Sequence, residues 1–453
     1  MKSVNPTTDE VIRHYEEYSD KGAAGIVNAV DKSWHSWRHT TFRKRSELMV
    51  GLAALLRSKK DELARLISLE MGKVIRESLA EVEKCAWVCE FYAEHAEGFL
   101  LNEPIQTGYS ESYVSFRPLG VVLAVMPWNF PFWQVFRCAA PTLMAGNTML
   151  LKHASNVSGC SLAIEDLFRE AGFPDNAFRS LLLAGSRLEP VIAHPAVKAV
   201  TLTGSTPAGR SVAAAAGKNL KKCVLELGGS DPYIILEDAD LKDAAGLCAA
   251  SRLLNAGQSC IAAKRFIVAE PVYEEFCSLM LRKMSVALAG DPFSEETIIG
   301  PLARKDLRDE LHGQVMQSVS MGAKLRLGGY IPNGRGSFYP ATILEEVTPG
   351  MPAYEEELFG PVAAMIRARN EKDAIEIAND TPFGLGAAVF TRDISNGRIL
   401  AEELIDAGGC FVNDFVKSDP RLPFGGIGES GYGRELSSFG IREFVNIKTV
   451  VVK

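Results

Sequence analysis

Long apolar runs are missing from this 453-residue sequence. No stretch is apolar and charge-free over the ~20 residues that a membrane-spanning helix takes. The N-terminal MKSVNPTTDE lacks the apolar core of a secretory signal. Both lacks set the expectation of a cytoplasmic protein that does not enter a membrane. Excess basic charge is missing too: Lys and Arg number 49 against 56 Asp and Glu, a net charge of −7, which speaks against a nucleic-acid-binding face. There is no disulfide framework either. Nine cysteines, an odd count, are scattered along the chain, as expected for reduced thiols in the cytosol. Cys85 and Cys89 lie four apart on an expected helix, with no nearby Cys or His pair to complete a zinc site, so they read as packing residues. No GxGxxG fingerprint, internal repeat or long linker occurs. None of the seven histidines stands where the base of a Cys–His hydrolase would.

What is present is a chain long enough for two or three packed units, at ~100–200 residues each. The first hundred residues read as helices, rich in helix formers with apolar positions three and four apart. After residue 119 apolar runs alternate with helical segments: GVVLAVM, a helix over 132–144, NTMLLK, the helix GCSLAIEDLFREAG, FRSLLLAG, KAVTLTGS and CVLELGG. That alternation predicts a parallel, doubly wound sheet with ligands at the strands' carboxyl ends. A second α/β set begins near Gly229 with DPYIIL and continues through RFIVAE and AAVFTRD. The Val-rich terminal strand FVNIKTVVVK needs a partner, either ESYVSFRP or another subunit.

Four stretches leave a polar or reactive group where a strand ends. In PWNFPFW two prolines fix the backbone around Asn129, which can present an amide donor at the sheet edge or serve as an ordinary turn residue. In LTGSTPAGR the strand runs into Gly204 and Ser205 before a helix whose first N–H groups could receive a phosphate. In ELGG, Glu226 closes an apolar strand, either as a working carboxylate or as a salt-bridged terminus. In LNAGQSCIAAKR, Gly257 leads into Cys260. A cysteine attacking a carbonyl needs a donor for the oxyanion and a base for water, and Asn129 and Glu226 would supply both.

PWNFP, LTGS, ELGG, GQSC, EEELFGP and LPFGG stand in one order along nearly the whole chain, and in that order they resemble the NAD(P)-dependent aldehyde dehydrogenase superfamily. PWNFPFWQVFR, KHASN, GQSCIAAKRF and KSDPRLPFGG most resemble its short bacterial succinate-semialdehyde dehydrogenases. The resemblance implies an α/β fold: a doubly wound Rossmann-type cofactor domain over 1–106 and 120–228, a second α/β catalytic domain over 229–428, and oligomerisation strands over 107–119 and 440–453 of a homodimer or homotetramer. It implies Cys260 as nucleophile, forming a thiohemiacetal and then a thioester. Asn129 and the Cys260 N–H would hold the oxyanion, and Glu226 would activate water. Trp128, Lys152, Gly204, Ser205, Glu357 and Phe359 match cofactor-binding positions.

Cofactor and substrate choice follow from single positions. Strictly NAD-dependent relatives tend to carry Glu three residues after the lysine, where this chain has Ser155. A serine does not repel a 2′-phosphate, so NADP is expected as the preferred cofactor, with NAD also open. His153 replaces a common Pro and could shift the strand end. Arg137, beside Phe132 and Trp133, is the expected receptor for a substrate's remote carboxylate. Leu254 stands where some relatives have a second Arg, and Ser418 and Arg421 are expected to replace that contact. Ala262 removes a local disulfide partner for Cys260. The implied reaction is oxidation of succinate semialdehyde to succinate. A broader aldehyde dehydrogenase, for glutarate semialdehyde or lactaldehyde, and a non-catalytic structural protein on the same scaffold are the alternatives.

Overall fold

A computed structural model describes residues 1–453. Four helices, Asp20–Trp37, Phe42–Ser58, Lys60–Met71 and Ile75–Phe99, form the N-terminal layer as expected. Their apolar faces pack on a core that includes the helix Trp133–Met144. Ahead of them lies a feature the helical reading missed. Lys2–Val4 and Val11–His14 pair antiparallel around the NPTTD turn, bringing Lys2 to the first sheet's ligand-binding end. No helix is long and apolar enough to cross a membrane.

The first sheet runs Gly431–Tyr432, Lys222–Glu226, Val197–Thr203, Val121–Met126, Thr148–His153, Phe178–Ser180, parallel except for its short first strand. The chain starts at the central strand Val121–Met126, winds one way to Phe178–Ser180, then crosses to Val197–Thr203 on the other side. That reversal leaves a crevice beyond the carboxyl ends of Val121–Met126 and Val197–Thr203, where an open α/β sheet binds its ligand. The loops leaving these two strands carry Trp128, Asn129, Gly204 and Ser205. FRSLLLAG makes a shorter strand than its apolar run suggested, because Gly185–Arg187 turns into a 3-10 helix.

The second sheet orders Lys324–Leu327, Thr342–Glu345, Val362–Ala368, Arg265–Ala269, Pro232–Ile235, Gly386–Phe390 and Gly409–Val412, parallel except for the first. Its central strands are buried along their whole length, which explains why they read as continuous apolar runs. The terminal strand Val445–Val452 pairs antiparallel with Glu111–Pro118 over its full length, and Glu103–Pro104 completes a three-stranded sheet.

Asn147 joins these parts. Its Oδ1 accepts the Gly120 N–H at 3.0 Å and its Nδ2 donates to the Phe444 carbonyl at 2.9 Å. The side chain is fully buried, so no solvent replaces either bond. Asn147→Ala is expected to cost ~2–3 kcal/mol through two stranded backbone groups, seen as a lower urea midpoint. An unchanged midpoint would show that this cross-link contributes nothing.

Candidate active site

The loop before Cys260 takes an unusual path. Asn255, Ala256 and Gly257 are all left-handed, with φ of 53°, 53° and 74°. For an alanine this conformation costs roughly 1–2 kcal/mol, so the surroundings must impose it. They do so by hydrogen bonds. Glu77 accepts the Asn255 N–H at 2.8 Å, Gln258 Nε2 donates to the Asn255 carbonyl at 3.1 Å, and Gln258 Oε1 accepts the Ala303 N–H at 2.9 Å. A Cβ on Gly257 would strike the Gly360 carbonyl, which excludes any other residue there.

The same loop is tied to PWNFP. Asn255 Nδ2 donates to the Asn129 backbone carbonyl at 2.8 Å, and Asn129 Nδ2 donates to the Gln258 carbonyl at 3.1 Å. One Nδ2 hydrogen of Asn129 is thereby used and the other is free for a ligand. His153 supports the loop from behind. Its Nε2–H donates to the Pro131 carbonyl at 2.8 Å, and its Nδ1 accepts the Ala154 N–H at 3.0 Å. Burial pushes the imidazole down to about 4, so it is neutral, as this bonding requires. The strand keeps its register through His153, with no displaced end.

Two cavities meet at Cys260. One, of about 210 Å³, is walled by Trp128, Asn129, Gly204, Ser205, Glu357 and Phe359, with Cys260 and Gln134 at its inner end. The other, of about 190 Å³, has Cys260 and Gln134 again, with Phe130, Trp133, Phe424 and Leu254 as its apolar lining. Cys260 is therefore reachable from both sides. Burial pushes its thiol up to about 12, against the pull of the Arg137 and Lys264 charges. Lys264 donates to the Cys260 carbonyl at 2.7 Å and pairs with Glu357 at 3.2 Å. All nine cysteines are unpaired.

The lining of the first cleft suits the ring and ribose end of a dinucleotide. Trp128 and Phe359 meet edge to face with centroids 5.7 Å apart. A Cβ on Gly228 would occupy the place of the Glu357 carboxylate, which also accepts the Gly229 N–H at 3.2 Å. Further out, a cavity of about 550 Å³ gathers Lys152, Ser155, Lys2, Arg304 and Lys305. Asp9 engages Lys305 and Asp306 engages Arg304, while Lys2 and Lys152 have no carboxylate partner. Such a site suits phosphate and ribose hydroxyls.

Glu226 is buried, and neither carboxylate oxygen accepts a hydrogen bond within the chain. Arg137 lies 3.7 Å from it and pairs directly with Glu435, a residue that sequence reasoning missed. Burial raises Glu226 well above the usual carboxylate range and raises Glu435 as well, and Arg137 opposes both rises. Arg137 lines the second cavity as expected, but its guanidinium is not the uncommitted receptor the sequence suggested: two carboxylates already face it. Two other expectations change. Phe132 is fully buried and stacks on Phe136, outside both cavities. Arg421 is held by Asp419 at 2.6 Å on the surface and does not line the second cavity. Trp133 and Ser418 do line it.

A doubly wound sheet, a second α/β layer and a cleft at their junction mark the class as a dinucleotide-linked enzyme. The aldehyde dehydrogenase family model matches residues 1–450, and the chain belongs to that family. It is 48% identical to a protein of Synechocystis sp. designated a probable NADP(+) succinate-semialdehyde dehydrogenase, over 99% of each chain. It is 45% identical to an NAD(P)+ succinate semialdehyde dehydrogenase of Escherichia coli, over 99% of this chain and 97% of that one. The crystal structure of succinic semialdehyde dehydrogenase from Streptococcus pyogenes with NADP+ aligns with a TM-score of 0.97 at 37% identity, covering 100% of this chain and 99% of that one.

Two outcomes test the electrostatics. Because Glu226 and Cys260 both hold their protons to higher pH than usual, kcat/KM is expected to keep climbing through neutral and alkaline pH toward the Cys260 value of about 12. A flat profile would contradict this. Arg137→Ala leaves Glu226 and Glu435 without their cation, so turnover of uncharged aldehydes as well should fall about tenfold or more. Undiminished turnover of a neutral aldehyde would show that Arg137 does not serve the carboxylates.

Proposed function

We propose that this protein oxidises succinate semialdehyde to succinate, with NADP+ as the preferred acceptor and NAD+ as a second one. The observation that carries the reading is Cys260 as the shared wall of a cleft lined by Trp128, Glu357 and Phe359 and of an aromatic chamber with cationic groups. The designations of the Synechocystis, Escherichia coli and Streptococcus pyogenes relatives support the same substrate and cofactors.

In this reading the aldehyde enters the chamber, Cys260 gives up its proton to solvent, and the resulting thiolate adds to the aldehyde carbon. The free Nδ2 hydrogen of Asn129 and the Cys260 N–H donate to the oxyanion, an arrangement in which each donor contributes roughly 10²–10³ in rate. Trp128 and Phe359 would hold NADP+ or NAD+, which would accept the hydride, and loss of that hydride leaves the acyl group on Cys260 as a thioester. Glu226, with its raised proton affinity, takes the proton of the water that attacks the thioester. Lys152 and Glu357 hold ribose hydroxyls, Gly204 and Ser205 lie along the cofactor's path, and Ser155 with Lys2 receives the 2′-phosphate. Ser418 faces the substrate's carboxylate end. The enzyme works in the cytoplasm as a homodimer or homotetramer, in which the outer edge of Val445–Val452 meets another subunit.

Steady-state comparison of both cofactors tests the reading. With succinate semialdehyde, kcat/KM should be higher for NADP+ than for NAD+, and a clear preference for NAD+ would contradict it. Ser155→Glu places a like charge beside the 2′-phosphate and should lower kcat/KM for NADP+ at least about fivefold relative to NAD+. An unchanged ratio would remove Ser155 from the phosphate site.

A further inference from the structure

The aromatic chamber contains a cation that the mechanism above does not use. Lys84 projects from the helix Ile75–Phe99 into the chamber wall, with the ring centroid of Trp133 4.2 Å from its Nζ. Its Nζ donates to Ser418 Oγ at 2.9 Å. Three cations line this chamber, Lys84, Arg137 and Lys417. Arg137 faces Glu226 and Glu435, and Lys417 pairs with Asp414 at 2.5 Å. Lys84 has no carboxylate within ion-pair distance. The acidic groups nearest it are committed elsewhere: Glu81 to Lys73 and the Phe132 and Trp133 N–H groups, Asp419 to Arg421, and Glu77 to the Asn255 N–H.

We infer that the Lys84 ammonium, assisted by the Ser418 hydroxyl, is the receptor for the carboxylate at the far end of the substrate and sets the preference for acidic over neutral aldehydes. The inference rests on the proposed oxidation of succinate semialdehyde. Charge matching supports it. Burial and the nearby Arg137 push the Lys84 amine down to about 8, so its charged form is poorly compensated in the free chamber. An incoming carboxylate supplies that compensation. Ser418 can then turn its hydroxyl hydrogen toward the second carboxylate oxygen while still accepting from Lys84. Phe130, Trp133 and Phe424 cover the methylene stem between the carboxylate and the aldehyde at Cys260. A neutral aldehyde of the same length gains nothing from Lys84 and leaves it desolvated.

The test compares succinate semialdehyde with butanal, an uncharged four-carbon aldehyde, in steady-state kinetics of the full-length enzyme with NADP+. Lys84→Met should lower the ratio of kcat/KM for succinate semialdehyde over butanal about 30-fold, chiefly through KM for the acid. Lys84→Arg should restore part of that ratio. Ser418→Ala, which keeps the helix untouched, should lower the ratio a few-fold and gives the same readout if Lys84→Met does not fold. A wild-type ratio retained in both Lys84→Met and Ser418→Ala would overturn the inference and leave the carboxylate to Arg137. A wild-type enzyme with no preference for succinate semialdehyde over butanal would overturn the substrate reading itself, and this inference with it.

Discussion

Two side-chain amides hold together loops that belong to different sheets. Asn255, on the loop before Cys260, donates to the backbone of Asn129, and Asn129 donates back to the carbonyl of Gln258. Neither loop has regular structure to fix its place, and three consecutive residues of one are left-handed. These bonds tie the loop of the proposed nucleophile to that of its oxyanion donor, and both line one cleft. His153 from behind PWNFP and Lys264 beneath Cys260 extend the same scaffold. Two cavities open onto Cys260 from opposite sides of this joint.

The second constraint is burial of charge. Glu226, Glu435 and Arg137 are almost wholly out of water, where an isolated carboxylate would be neutral. Two carboxyls share one guanidinium, and burial makes both hold their protons more tightly than a carboxyl in water. The same logic orders the neighbours. Glu357 is matched by Lys264 and His153 is kept neutral, which leaves Lys84 as the chamber's unmatched charge.

Much of the first sheet was legible because its strands are buried on both faces and stop at polar punctuation. Asn129, Gly204 and Glu226 stand at such stops, whereas Cys260 comes from the loop between the helix Leu241–Leu253 and the second-sheet strand Arg265–Ala269 and meets Asn129 and Gly204 at the cleft. Long-range partners were not legible. Glu435 reaches Arg137 from about three hundred residues downstream, and Lys84 looks like any charged position on an amphipathic helix until Trp133 and Ser418 close around it. Arg421 was misread for a local reason: Asp419, two residues away, competes for its guanidinium and wins on the surface. Phe132 follows the helix start into the core, where stacking on Phe136 gains more than lining a small chamber. The N-terminal hairpin escaped because its strands are three and four residues long, below the length at which alternation is visible.

The central claim is that Cys260 carries the acyl group and Glu226 releases it. Glu226→Gln, mixed with succinate semialdehyde and NADP+, then digested and analysed by mass spectrometry, tests both halves at once. The account predicts a succinyl thioester accumulating on the peptide that contains Cys260, together with a single stoichiometric burst of reduced cofactor. An acyl group on a different residue, or sustained turnover with no adduct, would contradict it.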